Sequence, residues 1–459
     1  ISYFGRASYN YDERYMAEVT FRRDASSRFG DNNKWGTFPS FSLGWNIKNE
    51  SFMQDVPWIS GLKLRASWGV NGNDAIGDFT YAVYTSQNNN YVFGSPATSE
   101  QITGGTKPSG LANPNVKWEE SRQTDIGIDM AFFGNRLTFV ADWYHKKTAG
   151  MLLSMPVPGY SGDSAPTGNL GDMLNQGIEL DLGYRNSAGD FNYHASINAT
   201  YNKNTLTYLG DDAPSLYCSN HQTGQLTRGL VGLPFPYFYG FKSDGIFQNM
   251  DEVKAYTNAE GNMIMPNAEP GDVRFVDIDG DGVIGDGDKT YIGKGIPDWV
   301  FGLNLGFDWK GLDFSILLQG QLGAQAYNVS RRIDLGAVNL PKYMLNRWTG
   351  EGTTNKYPKF EVGDATNYVV SDVWVEDASF LRARNVQLGY TLPQNITKKF
   401  FVQRLRVYAQ AENLFTLTRY QGCDPEVTGG NSSYGTEVGI DRGVYPQSRT
   451  FSVGVNLTF

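Results

Sequence analysis

No stretch of this 459-residue chain comes near the roughly 18–20 consecutive apolar residues that a membrane-spanning helix needs, and hydrophobic residues make up only 40%. A helical membrane protein is thereby excluded. Basic groups are too few for a nucleic-acid partner: 39 Lys and Arg against 48 Asp and Glu leave a net charge of -9, and phosphate binding needs a basic field. Cysteine is nearly absent. Cys218 and Cys423 lie far apart in sequence and make no metal-ligand spacing. The three histidines, His145, His194 and His221, sit in no nucleophile or zinc motif, so no enzyme is expected. A signal peptide is missing at Ile1, which reads as a chain that starts mid-structure or was processed.

Aromatics, by contrast, are plentiful. They reach 14%, beside 53 Gly, and disordered chains are poor in them. Their placement is regular. In 191–202, Phe191, Tyr193, Ala195, Ile197, Ala199 and Tyr201 alternate with Asn192, His194, Ser196, Asn198, Thr200 and Asn202. Successive side chains of a strand point to opposite faces, so this strand has one greasy and one wet face. Ile178, Leu180, Leu182 and Tyr184 alternate with Glu179, Asp181 and Gly183 in the same way. Two carboxylates on one inner face are costly in a dry core and cost little in a water-filled lumen. About 9–11 tilted residues cross a bilayer as a strand.

Thirteen such strands are predicted, near 2–11, 15–24, 35–46, 61–70, 120–131, 137–147, 175–184, 191–202, 299–309, 312–321, 380–391, 404–416 and 449–459. Short connections alternate with long ones at 71–119, 148–174, 203–298, 322–379 and 417–448. Outer-membrane barrels have short periplasmic turns and long extracellular loops. The fold class expected is therefore all-β, a transmembrane antiparallel β-barrel, in contact with outer-membrane lipid. The last strand follows a long loop, so it descends and Phe459 ends in the periplasm. Counting back, the first strand also descends, and an odd number of strands is expected upstream. About nine are needed if the whole barrel has about 22 strands. The terminal Phe459, after alternation through Phe451, Val453, Val455 and Leu457, reads as a barrel-assembly signal or as an ordinary amphipathic last strand.

The segments VEDASFLRARNVQLGYTLP (375–393), AENLFTLTRYQGCDPE (411–426) and GVYPQSRTFSVGVNLTF (443–459) resemble the C-terminal region of SusC/RagA-type TonB-dependent transporters. So do SYFGRASYNYDERY (2–15), FRRDASSRFG (21–30), WGTFPSFSLGW (35–45) and 271–304. The resemblance implies that residues 1–459 are the C-terminal part of a 22-stranded barrel of Bacteroidetes outer membranes. Such a barrel holds an N-terminal plug, is opened through TonB and is capped by a SusD-like surface lipoprotein. Typical cargo is oligosaccharide, and some members take oligopeptides. The plug, the TonB box and the early strands are lacking here, and are expected on another chain or cut away. A siderophore or cobalamin receptor, a passive porin and a surface adhesion barrel are the rival readings.

Three local features stand out. DIDGDGVIGDGD (277–288) has the spacing of a calcium loop. Asp277, Asp279 and Asp281 take the first, third and fifth positions, Gly282 the sharp turn, Val283 the backbone carbonyl. Asp288 stands at the twelfth, where Glu is usual. Close carboxylates repel one another without a cation, so calcium is expected there; the bland reading is an acidic Gly-rich turn. In PFPYFYGF (234–241), Tyr237, Phe238 and Tyr239 read as cargo-stacking residues, as contacts for a lid protein, or as loop core. Cys218 and Cys423 both fall in extracellular loops, where a disulfide is permitted but is not fixed by sequence.

Overall fold

Alternation along one strand makes two faces of a wall only if neighbouring strands keep register, and here they do. In this computed structural model thirteen strands form the main path of one large sheet, in chain order. They are β1 Ser2–Tyr11, β2 Tyr15–Ala25, β3 Trp35–Asn46, β4 Ile59–Asn73, β5 Glu119–Phe132, β6 Leu137–Ser154, β7 Thr167–Ala188, β8 Phe191–Leu209, β9 Trp299–Trp309, β10 Leu312–Leu322, β11 Phe380–Thr391, β12 Arg404–Glu412 and β13 Thr450–Thr458. The structure describes all residues except 88, 94–100, 109, 156, 158–159, 161–164, 211–214, 222–223, 330–335, 337–338, 365 and 428–434. No helix among the described residues is long and apolar enough to cross a membrane.

The chain divides into two compact units. The first comprises Ile1–Asn135, Val140–Ile178 and Thr205–Pro214. In it, Tyr9, Ala17, Leu43, Ala66 and Ile126 lie side by side across β1 to β5. One residue along, the row is Ser8, Glu18, Ser42, Ser67 and Asp125. A slip of one residue would exchange the two faces wholesale. On the polar face Arg65 bonds Asp129 at 3.0 Å and Asp142 at 2.7 Å. Towards one end the greasy face closes with a stack of Tyr11, Tyr15 and Trp45, each ring centroid 6.5 Å from the next. That is the aromatic girdle expected at a membrane interface.

The second unit comprises Arg136–Phe139, Glu179–Asn204 and Ser215–Phe459. Its greasy rows are equally continuous. Phe191, Trp309, Leu312, Tyr390, Val407 and Val455 are register partners from β8 to β13, and so are Ala195, Leu305, Ile316, Val386, Ala411 and Phe451. Between them runs His194, Gly306, Ser315, Gln387, Gln410 and Ser452. The His194 ring lies against Gly306 and leaves no room for a side chain there. That histidine is a packing element of the polar face. Arg406 and Asp313 pair on the same face, Nε to Oδ1 at 2.9 Å. A tight hairpin joins β9 to β10. The β9–β10 turn sets Lys310 at φ 47° and Gly311 at φ 88°, a left-handed pair that suits a two-residue connection.

The thirteen expected strands are the thirteen observed, but the middle ones are longer than the sequence reading allowed. β6, β7 and β8 have 18, 22 and 19 residues, against about 9–11 for a bilayer crossing. Polar stretches such as Thr167 to Asp172 lack the greasy alternation of a lipid-facing strand. They continue as strand all the same, half-buried to buried from Thr167 to Asp172.

Candidate functional site

Residues 215–298, 322–379 and 417–448 carry far more structure than connections between strands require. Within the second unit, Leu216–His221, Gly224–Gly229, Tyr237–Gly240 and Thr290–Gly293 form a four-stranded sheet. Gln325–Asn328, Val375–Asp377 and Ile440–Asp441 form another, in which residues 327–328 and 440–441 pair in parallel. One apolar cluster unites all three segments. Leu226 and Phe238 come from the first, Tyr327, Met344 and Trp374 from the second, and Ile440 from the third, each at most 4% exposed. Polar ties reinforce it. Thr227 Oγ1 donates to the Thr436 carbonyl at 2.9 Å, and Glu437 accepts from Ser219 Oγ at 2.7 Å and from Arg442 at 2.8 Å. Arg442 first, then Ser219, holds the Glu437 carboxyl below its usual range against the opposing effect of burial.

A buried ion pair fixes the last loop to the end of β11. Arg382 and Asp424 meet at 2.6 Å with side chains only 2% and 4% exposed. Glu426 reaches Arg382 at 3.0 Å and Arg384 at 2.6 Å. Burial raises the Asp424 carboxyl, but the Glu426 backbone N–H and the Arg382 guanidinium outweigh it and hold the group low.

The acidic loop is organised by its own carboxylates. Asp277 accepts from the N–H groups of Gly280 at 2.7 Å and Gly282 at 2.9 Å, Asp279 from Asp281 at 3.1 Å, and Asp281 from Val283 at 2.9 Å. Gly280 and Gly282 take φ 75° and 84°, the left-handed region that glycine enters at no steric cost. One ligand oxygen from each of Asp277, Asp279 and Asp281 lies within 4.8 Å of the others. Calcium–oxygen distances of about 2.3–2.6 Å set two oxygens on opposite sides of the ion about 4.6–5.2 Å apart, so this trio fits around one ion. Asp288 plays a different part from the one its spacing suggested. It is 1% exposed. Its two oxygens accept from Ile278 N–H at 2.6 Å and Gly285 N–H at 2.7 Å, and so staple the loop shut. The Val283 side chain faces solvent.

The aromatic run is corrected by its burial. Tyr237 and Phe238 are 2% and 0% exposed and belong to the loop core, so they present no face to cargo or to a lid. Of these three, only Tyr239 keeps a partly open ring, with the Arg228 guanidinium 4.5 Å from its centroid. Cys218 and Cys423 are both free thiols, so the permitted bridge is not made. Sequence reasoning missed Arg382, because an arginine in an alternating strand reads as a lumen group. It also missed the shared loop core, which joins residues far apart in sequence such as Leu226, Trp374 and Ile440.

The family described as TonB dependent receptor-like, β-barrel matches residues 1–414. The whole chain aligns with TonB-dependent receptor P3 of Formosa agariphila at 34% identity, covering 45% of that protein. It aligns with TonB-dependent receptor SusC of Bacteroides thetaiotaomicron at 33%, covering 44%. Among solved structures, that of the RagAB peptide transporter superposes over the whole chain with a TM-score of 0.81 at 28% identity, covering 47% of the matched chain. The chain thus spans about half the length of the curated relatives it matches.

Proposed function

Because this chain belongs to the TonB-dependent receptor β-barrel family, in its SusC/RagA branch, we propose that it supplies thirteen wall strands of an outer-membrane importer of oligosaccharides or oligopeptides. The observation that carries this reading is the two-faced wall. Unbroken greasy rows face lipid, while rows of Ser, Gln, Asp and Arg face an aqueous interior. A barrel in lipid has to be closed, since an open edge leaves backbone groups unpaired. The remaining strands and a plug complete the pore, and TonB drives its opening. The likeness to a peptide transporter supports peptides among the cargoes.

The folded outer loops support a SusD-like lipoprotein as partner, because a lid needs a stiff seat and long ordered loops are usually functional. A calcium ion held by Asp277, Asp279 and Asp281, with the Val283 carbonyl and water, stiffens part of that seat. The test is uptake by whole cells. Deleting the gene should abolish growth on the cargo, restoring it should rescue growth, and collapsing the proton gradient that powers TonB should stop uptake. Uptake that survives loss of the gradient would indicate a passive pore.

A further inference from the structure

The outer loops hold one cavity whose lining is charged and aromatic, of about 520 Å³, in the second unit. Tyr217 and Tyr239 form two of its walls, with Arg228 between them: the guanidinium carbon is 5.9 Å from the Tyr217 ring and 4.5 Å from the Tyr239 ring. Among the described residues this guanidinium donates one hydrogen bond, to Ser215 Oγ at 2.6 Å, and its Nε is buried without a partner. Tyr217 is 69% exposed and offers a flat face. Asn220 and Gln225 add carboxamides, and Lys289, paired with Asp286 at 2.6 Å, completes the rim. The local balance is one net positive charge, in a chain that carries -9 overall.

We propose that this cavity binds a carboxylate-bearing sugar residue of the cargo, the carboxylate on Arg228 and the pyranose ring on Tyr217. A guanidinium stacked between two rings has its fork held in place, and a fork matches a carboxylate with two parallel N–H donors. The carboxamides of Asn220 and Gln225 both donate and accept, as vicinal hydroxyls require. Among the described residues no Leu, Ile, Val, Ala or Met lines the cavity, so a peptide side chain would find no greasy pocket there. The acidic loop supplies the Asp286 wall, which couples its order to the shape of the site. The assignment rests on the import reading but is tested without transport.

The experiment uses the full-length transporter with its lipoprotein partner in detergent, and compares a tetramer of galacturonate with the neutral galactose tetramer of the same linkage. Hydrogen bonds to a charged group are worth enough for roughly tenfold or greater preference for the acidic tetramer. Arg228→Gln should abolish the preference, so that the acidic and neutral tetramers bind the variant alike. Tyr217→Ala should weaken both. Raising salt on the wild type should weaken only the acidic tetramer, which tests the charge contact even if Arg228→Gln fails to insert. No preference in the wild type, or a preference that survives Arg228→Gln, overturns the proposal. So does an acidic peptide that alone binds with Arg228 dependence. Failure of cellular uptake with binding intact would strike the import reading instead.

Discussion

Tyr15 and Glu50 are joined by a 2.6 Å hydrogen bond from the phenol to the carboxylate, and Trp45 Nε1 donates to the same oxygen at 2.9 Å. One acceptor in the β3–β4 connection therefore holds the polar ends of two girdle rings whose bodies face lipid. Tyr and Trp suit an interface because one end is apolar and the other wet. The Tyr15 hydroxyl, then Trp45, holds the Glu50 carboxyl below its usual range. A depressed carboxyl stabilises the folded state above the unfolded group's titration range, and that contribution is lost as pH falls through the folded value. Glu50→Ala should lower the heat resistance of the full transporter at pH 7, measured by gel mobility after heating. The gap from wild type should narrow as pH falls below about 4. A gap that stays constant with pH would mean that the charge is irrelevant and only packing was lost.

Asp424→Ala should release the last outer loop without disturbing the wall. Removing one partner of a buried pair costs about 3–5 kcal/mol, and Glu426, still 3.0 Å from Arg382, reduces that penalty. The expected outcome is normal insertion with new protease cleavage around residues 419–427. Cleavage unchanged from wild type would show that the loop core alone holds the segment.

The wall was legible in the sequence because lipid and water select opposite residue types every second position. Phe191 to Tyr201 announce their strand, and their partners in β9 obey the same rule. Connection lengths then fixed the order of the strands. The outer loops obey no such solvent rule. Tyr327 and Ile440 meet in a parallel pairing across more than a hundred residues of chain, and nothing local to either residue announces that. Arg382 went unremarked for a related reason. Its partner Asp424 arrives from another loop, and turns a lumen-like position into a buried one. In the acidic loop, local spacing announced that the carboxylates of Asp277, Asp279 and Asp281 gather. Spacing did not announce that Asp288 accepts from the Ile278 and Gly285 N–H groups, because those bonds depend on how the loop folds back.

The two cysteines should differ sharply in reactivity. Burial pushes the Cys218 thiol up to about 12, whereas Cys423 is exposed. The thiolate is the reactive form, so a maleimide at pH 7.5 should label Cys423 on intact cells and spare Cys218 until the protein is unfolded. Mass spectrometry of the labelled peptides reads both sites. Equal labelling of both, or a bridged peptide with neither labelled, would contradict the two free thiols and their different burial.

Calcium gives the strongest test of the acidic loop. Three carboxylates with oxygens within 4.8 Å of one another repel unless a cation sits among them. Magnesium fits less well, because it demands near-octahedral oxygens at about 2.0–2.1 Å. Affinity in the range of extracellular modules, about 10⁻⁴–10⁻³ M, is expected, since Asp288 spends its oxygens on Ile278 and Gly285. Terbium luminescence excited through nearby tyrosines should saturate, and millimolar calcium should displace the ion. Asp279→Ala should abolish the signal and Asp286→Asn should leave it, because Asp286 pairs with Lys289 outside the trio. Chelator should increase protease cleavage between Gly271 and Trp299 in the wild type only. Luminescence that survives Asp279→Ala, or cleavage indifferent to chelator, would leave an acidic turn held by its own backbone and nothing more.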